Sequence, residues 1–134
     1  PKKPLTWDGA KQLVNTGHTI GGHTVNHHSI AELDEVEVSQ EVQADKQRIE
    51  SMLGITLQDF AYPFGTNRHI TPMSVRIVHM HYGTQYSAVS GFVLKGNECL
   101  IPRTLIENNQ TLPSISTWID GAYDCFYKAK NYIG

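Results

Sequence analysis

A long amphipathic segment between two strand-like segments constrains the fold of this chain more than any other feature. Over residues 32–53, apolar side chains recur at the spacing of one helical face, and Gly54 ends the pattern. The apolar face consists of Val38, Val42, Ile49 and Leu53. The face predicted to point to solvent carries Glu35, Glu41, Asp45 and Arg48. Short strands are predicted on either side of this helix, at residues 18–22 and 58–63.

The remaining segments continue the alternation of helix and strand. Thr6 is the predicted N-cap of a first helix, which stops at the Asn-Thr-Gly of residues 15–17. The later predicted elements are a helix over residues 71–82, strands at 84–90 and 99–102, and a last helix within 112–132 with an interruption expected at Gly121. We therefore predict an α/β fold with a mainly parallel sheet, in which functional residues follow the carboxyl ends of the strands.

Length and composition fit one small globular domain, residues 1–134. Hydrophobic residues make up 40% of the chain, which is ordinary for a folded protein. A net charge of −2 without a run of lysine or arginine gives no electrostatic footprint for nucleic acid, and no apolar run is long enough to span a membrane. Cys99 and Cys125 are too few to define a disulfide framework, so free thiols and a bridge are both open.

Four of the seven histidines fall between His18 and His28, beside a pair of glycines. His23 and His27 are four residues apart, which lets two imidazoles converge on one divalent ion such as zinc. A third ligand, usually a carboxylate, is then needed from elsewhere. The alternative is a polar loop whose imidazoles form local hydrogen bonds. The glycines favour the metal site, because they permit a tight turn directly after a strand.

Two motifs of the sequence resemble those of the NodB-homology polysaccharide deacetylases, carbohydrate esterase family four. Residues 17–27, GHTIGGHTVNH, resemble the second motif of the family, and residues 60–65, FAYPFG, resemble its third. Residues 82–90 and 100–103 are similar to two later strands, so the resemblance covers residues 5–118. The FAYPFG form is most similar to the poly-N-acetylglucosamine deacetylase branch.

The resemblance implies a metal-dependent hydrolase that removes acetyl groups from the N-acetylglucosamine units of a cell-wall or biofilm polysaccharide. By match to the motifs, His23 and His27 bind a divalent metal, with zinc expected, and the backbone N–H of Phe64 donates to the oxyanion. Tyr62, Pro63 and Phe64 are expected to contact the sugar, with core positions as the alternative for the two aromatic residues. The implied fold is a deformed (β/α) barrel, and the implied location is extracytoplasmic.

The sequence departs from the family pattern at the catalytic groups. The Thr-Phe-Asp-Asp motif, which supplies the third metal ligand and the catalytic base in the family, is absent, and Asp8 is rejected as its replacement because it lies in the predicted first helix. Ala61 stands where the family has an arginine. Arg103 is the candidate for orienting the missing aspartate, with a surface or ion-paired arginine as the alternative.

These departures leave three functions open. The first is a polysaccharide deacetylase domain seen without its first strand, for which we expect weak or absent turnover from this chain alone. The second is a non-catalytic carbohydrate-binding relative, and the third is a small domain in which the histidine pair binds a structural metal. A barrel without its first strand would expose a sheet edge, which favours a homo-oligomer.

Overall fold

The structure, a computed structural model, describes residues 3–91, 93, 100–107 and 109–122. The helices are α1 (Trp7–Asn15), α2 (Glu35–Leu53), α3 (Pro72–His81) and α4 (Leu112–Ile119), with a 3₁₀ turn at Ile30–Glu32. The strands are β1 (Asp59–Ala61), β2 (Thr84–Tyr86) and β3 (Leu100–Ile101). Helix and strand therefore alternate as predicted, although each strand is shorter than its sequence pattern.

The sheet is entirely parallel over the described residues, in the order β1-β2-β3. Phe60 pairs with Gln85, and Gln85 pairs with Leu100. The predicted strand at residues 18–22 is wrong in extent, because only Gly22 reaches β1, in a parallel bridge to Phe60. The backbone N–H of His18 donates instead to Leu13 at the end of α1, 3.0 Å away, so the chain cannot pair with β1 until Gly22.

Side-chain caps explain where the helices begin. Thr6 accepts a hydrogen bond from the N–H of Gly9, as expected of the predicted N-cap. Asp34 and Glu37 form a capping box, so α2 begins at Glu35 rather than at the predicted residue 32. At its other end α2 stops at Gly54, whose φ of 69° lies in the left-handed region.

The core lies between the sheet and the helices α2 and α3. Its buried members are Ile30, Val38, Val42, Leu57, Phe60, Tyr62, Ile77, Val78 and Tyr82. Ile49 of the predicted apolar face packs against this cluster while half-buried. Asp45 is the exception to the predicted pattern, because it is 8% exposed instead of facing solvent. It faces the histidine loop, which we define as residues 22–28.

The last predicted helix is only partly within the described residues. Helix α4 ends at Ile119 and Gly121 follows with a φ of 78°, which matches the predicted interruption. Residues 123–134, which include Cys125, lie outside the described residues, as does Cys99, so the prediction for the two cysteines stays open. Among the described helices, none has the length and apolar character needed to cross a membrane.

Candidate functional site

Two glycines bring the histidine loop into contact with the sheet. A Cβ atom on Gly21 would lie 2.8 Å from the carbonyl oxygen of Asp59. A Cβ atom on Gly22 would overlap the phenol of Tyr82 and lie 2.9 Å from Oδ2 of Asp45. Only glycine fits at these two positions, because the backbone there lies against Asp59, Tyr82 and Asp45. His23 therefore follows directly after the bridge between Gly22 and β1.

The two imidazoles of the histidine loop lie side by side. The ring centres of His23 and His27 are 4.8 Å apart, and the ring planes make an angle of 70°. Two imidazoles that share a tetrahedral zinc at about 2.0–2.1 Å have ring centres roughly 5 Å apart. The structure therefore brings the predicted ligand pair together at a spacing that fits two positions of one metal site.

A backbone carbonyl orients the first of these rings. Nδ1 of His23 lies 2.6 Å from the carbonyl oxygen of Ala61, and this oxygen can only accept, so Nδ1 carries the proton. In the neutral ring Nε2 is then left with a free lone pair, which is the arrangement that metal-binding histidines adopt. The sequence indicated only that Ala61 replaces the arginine of the family, whereas in the structure the backbone carbonyl of Ala61 orients the ring of His23.

A third ligand is missing from the part of the chain that the structure describes. No group of three or more His, Cys, Asp or Glu side chains there could hold a metal ion. Asp8 lies in the first turn of α1 with an exposed side chain, in line with its rejection. The residues present thus fit a metal with two ligands, and the carboxylate expected from the family has no counterpart among them.

Two carboxylates of α2 hold the histidine loop, and sequence reasoning missed both. Asp45 accepts a hydrogen bond from the N–H of His23 at 2.7 Å. Glu41 accepts from the N–H groups of Val25 and Asn26, at 3.0 and 2.9 Å, and also from the Asn26 side chain. Both residues were assigned to the solvent face, and only the spacing of four along the helix signalled that they act together.

The surroundings shift the pKa values of these two carboxyls in opposite directions. Burial raises the pKa of Asp45 above its ordinary value, and the N–H groups of His23 and Thr24 oppose that rise. Partial burial also acts to raise the pKa of Glu41, but the hydrogen bonds from Asn26 and Val25 outweigh it and lower this pKa. Glu41 is therefore the more firmly ionised of the two.

Backbone strain is concentrated at the same place. Among the described residues other than glycine, positive φ angles occur at Thr24 (65°), His27 (57°) and Phe64 (58°). A residue with a side chain in this region costs of order 1–3 kcal/mol. Two of these residues belong to the histidine loop and the third is the expected oxyanion donor, and such strain is characteristic of functional sites.

Phe64 lies beside the imidazole pair with its ring half in solvent. Its ring centre is 5.0 Å from that of His27 and 5.0 Å from that of His69, and the side chain is 54% exposed. Within the described residues the backbone N–H of Phe64 has no hydrogen-bond partner. The prediction that this N–H is an oxyanion donor therefore remains geometrically possible, and the ring remains available to a sugar.

The other two expected sugar contacts are contradicted by burial. Tyr62 is 1% exposed, its hydroxyl donates to Gln85, and its ring packs against Phe60. Pro63 is also fully buried. Alternation along the strand turns Tyr62 towards the helices, whereas Phe64 follows the end of β1 and points outward. The alternative of a core position is thus correct for Tyr62 and wrong for Phe64.

An open cleft of about 430 Å³ extends from the histidine loop across the sheet. Its lining includes His23, Gly22, Asp59, Ala61, Tyr86 and Arg103. Nε of Arg103 donates to the carbonyl of Ser87 at 2.8 Å, and the guanidinium lies 5.8 Å from the centre of the Tyr86 ring. The structure thus places Arg103 in the same cleft as His23, and its role there stays a prediction.

The sequence matches known proteins over this region. A family model described as polysaccharide deacetylase matches residues 2–82. The uncharacterized protein YlxY of Bacillus subtilis (strain 168) is 32% identical over 59 residues, which represent 44% of this chain and 18% of that protein.

Solved structures of similar fold extend the comparison. BC0361, a polysaccharide deacetylase from Bacillus cereus, aligns with a TM-score of 0.78 at 20% identity over 88% of this chain and 37% of that one. The de-N-acetylase from Aggregatibacter actinomycetemcomitans aligns with a TM-score of 0.72 at 14% identity over 85% of this chain and 53% of that one. BA3943, a CE4 family pseudoenzyme from Bacillus anthracis, aligns with a TM-score of 0.52 at 22% identity over 59% of this chain and 27% of that one.

These likenesses confirm the expected fold, which is part of a deformed α/β barrel of the NodB type. The chain spans about half or less of the length of each of these proteins.

Proposed function

The chain belongs to the polysaccharide deacetylase family, and we propose that it contributes the histidine pair and one wall of the sugar site to a carbohydrate N-deacetylase. The observation that carries this proposal is the pairing of His23 and His27 with ring centres 4.8 Å apart, together with the hydrogen bond that frees Nε2 of His23. Both features suit metal ligation, and both occur within the segment that matches the family.

The proposed reaction is hydrolysis of an N-acetyl group. A bound divalent metal, zinc by expectation, supplies Lewis-acid activation of water and of the acetyl carbonyl. His23 and His27 would hold that ion through their ring nitrogens. The free N–H of Phe64 donates a hydrogen bond to the oxygen that becomes negative when water adds to the carbonyl carbon.

The proposed substrate is a polysaccharide that contains N-acetylglucosamine, and the FAYPFG motif favours a poly-N-acetylglucosamine. Support comes from the exposed ring of Phe64, which offers an apolar face beside the histidine pair. The de-N-acetylase of similar fold acts, by its name, on an N-acetyl group. Such polymers lie outside the cytoplasm, so we propose an extracytoplasmic location.

Arg103 is proposed to orient the carboxylate that completes the site. Its Nε is held by Ser87 and its guanidinium lines the cleft that contains His23. The described residues contain no such carboxylate beside the histidine pair, so we expect little or no turnover from this chain alone.

A non-catalytic relative that binds carbohydrate is the second candidate, and the missing third ligand is the observation that favours it. A pseudoenzyme of the same family has a similar fold, and a mutant of that protein is described as having restored enzymatic activity. A pseudoenzyme therefore occurs among proteins of this fold, and the two candidates differ only in whether a base is supplied.

Two measurements on four proteins test the proposal. Zinc binding is followed by calorimetry, and acetate release from an N-acetylglucosamine oligomer is followed with and without a chelator. We expect His23→Ala and His27→Ala to weaken zinc binding at least about tenfold. The matched control is His79→Ala, because His79 is exposed on α3.

The outcomes separate the candidates. Zinc binding by the wild type that depends on both loop histidines supports the ligand assignment, and chelator-sensitive acetate release adds catalysis. Chelator-sensitive acetate release would exclude the non-catalytic relative, whereas its absence is expected of both candidates for this chain alone. Equal zinc affinity in the wild type and both loop variants would refute the metal site.

A further inference from the structure

Beyond Gly22, which pairs with β1, the backbone of the histidine loop is held by side chains. Four of its N–H groups, those of His23, Val25, Asn26 and His27, donate to a side chain. Three of these bonds end on α2, at Asp45 or Glu41. The fourth ends on the hydroxyl of Thr24, 3.1 Å from the N–H of His27.

This arrangement stabilises a loop conformation that the sequence does not favour by itself. Thr24 and His27 both have positive φ angles, although neither is glycine. The bonds to Glu41 fix the two residues between them, Val25 and Asn26. Hydrogen bonds to Glu41 and to the Thr24 hydroxyl therefore stabilise an otherwise unfavourable turn. The last residue of this turn is His27, which carries one of the two imidazoles.

Both carboxylates belong to one rigid element. They are four residues apart on α2, and Val42 between them is fully buried in the core. Asp45 lies at the start of the loop, at His23, whereas Glu41 lies at its middle. The helix therefore sets the position of the loop relative to the carbonyl of Ala61, to which His23 donates.

We infer that Asp45 and Glu41 are positioning residues that bring His23 and His27 together before any metal ion binds. That the paired imidazoles serve to bind a metal rests on the proposed function. The pairing itself is a property of the metal-free chain. Neither carboxylate is a ligand here, because each accepts from the loop backbone and holds the imidazoles only through it.

The first test is made on the metal-free chain by NMR. Ring protons of His23 and His27 are close enough to give a mutual nuclear Overhauser effect when the ring centres are 4.8 Å apart. We expect this effect in the wild type and its loss in Glu41→Ala and Asp45→Ala. Asp45→Asn should retain it, because the amide oxygen still accepts from the N–H of His23.

The matched control removes one negative charge from the same helix. Glu35→Gln breaks an exposed ion pair with Arg76 and leaves the loop untouched, so both the ring contact and zinc affinity should be unchanged. Zinc affinity of Glu41→Ala and Asp45→Ala should fall about 10–100-fold, the usual effect of removing a partner behind a ligand. The amide spectrum of each variant reports whether it is folded.

Each result decides something different. A folded Glu41→Ala with the ring contact and zinc affinity of the wild type would overturn the inference, as would absence of the contact in the metal-free wild type. If Asp45→Ala does not fold, Glu41→Ala and Asp45→Asn give the answer. A wild type that shows the contact but binds no zinc would refute the proposed metal function while supporting the positioning role.

Discussion

Two turns at the carboxyl ends of neighbouring parallel segments are held in opposite ways. In the histidine loop, side chains from α2 accept the backbone N–H groups. In the turn at residues 63–66 the bonds are between backbone groups, from the N–H of Gly65 to Pro63 within the turn and from the N–H of Ala88, which follows β2, to Gly65. The first arrangement fixes two side chains, and the second leaves the N–H of Phe64 without a partner among the described residues.

Under the proposed function, the difference corresponds to a division of roles within one site. A loop that carries ligands needs its side chains in one place, and helix carboxylates provide that without occupying the rings. A turn that donates a backbone hydrogen bond needs that donor unpaired and pointing outward. Both turns have residues with positive φ angles, and each is next to a buried tyrosine. Tyr82 packs against Gly22, and Tyr62 directly precedes Pro63 in the sequence.

The largest expected effect comes from adding one methyl group behind the histidine loop. Gly22→Ala would drive a Cβ atom into the phenol of Tyr82 and against Asp45, both buried, and we expect a loss of at least about 3 kcal/mol of unfolding free energy. Denaturant unfolding measures this loss.

The control for that change is Gly17→Ala. Gly17 has a φ of 89° but nothing within 4 Å of an added Cβ, so only the conformational penalty of about 1 kcal/mol should appear. Equal losses in the two variants would show that the close approach of Gly22 to the core contributes nothing.

Alkaline pH should destabilise the fold through both buried tyrosines. Burial raises the pKa of Tyr62 and of Tyr82 well above the ordinary value of about 10. Because the unfolded phenols ionise first, stability is complete below pH of about 10 and then falls by about 1.4 kcal/mol per pH unit for each phenol. Unfolding free energy measured between pH 8 and pH of about 11 gives this slope.

The two tyrosines should differ when each is replaced by phenylalanine. Tyr62→Phe loses a buried hydrogen bond to Gln85 and should cost about 1 kcal/mol at neutral pH. The hydroxyl of Tyr82 is buried with no partner among the described residues, so Tyr82→Phe should be neutral or stabilising. Each variant should also reduce the alkaline slope by about 1.4 kcal/mol per pH unit, and an unchanged slope would contradict the assignment.

The smallest effect is expected at the outward-facing turn. Phe64→Gly relieves a φ of 58° and removes a half-exposed ring, so unfolding free energy should change by no more than about 1 kcal/mol. Binding of an N-acetylglucosamine oligomer should weaken in the same variant. Phe60→Ala is the contrast, because Phe60 is fully buried and its loss should cost about 3–5 kcal/mol.

Local features of the sequence predicted most of the helices and the histidine pair. Thr6, Asp34 and Thr71 cap helices through bonds to residues two or three positions away, so a short stretch of sequence contains the whole signal. The proximity of the two imidazoles was predicted in the same way, because His23 and His27 belong to one loop.

Long-range contacts account for the errors. Asp45 was assigned to solvent because a helical pattern contains no information about a loop 22 residues earlier that packs over it. The strand pattern around Tyr62 gives two faces but not which of them the helices cover, so a buried residue was taken for a sugar contact. The predicted strand at residues 18–22 failed because His18 bonds back to α1.

The position of Val42 between Glu41 and Asp45 links packing to chemistry. One turn of α2 is both wedged into the hydrophobic interior and fastened to the turn that carries the imidazoles. A change of volume beneath this helix, such as Val42→Ile, would tilt or lift it and would displace the two rings by a comparable amount. Repacking a residue that lies outside the proposed site would thereby change the spacing of the imidazole pair.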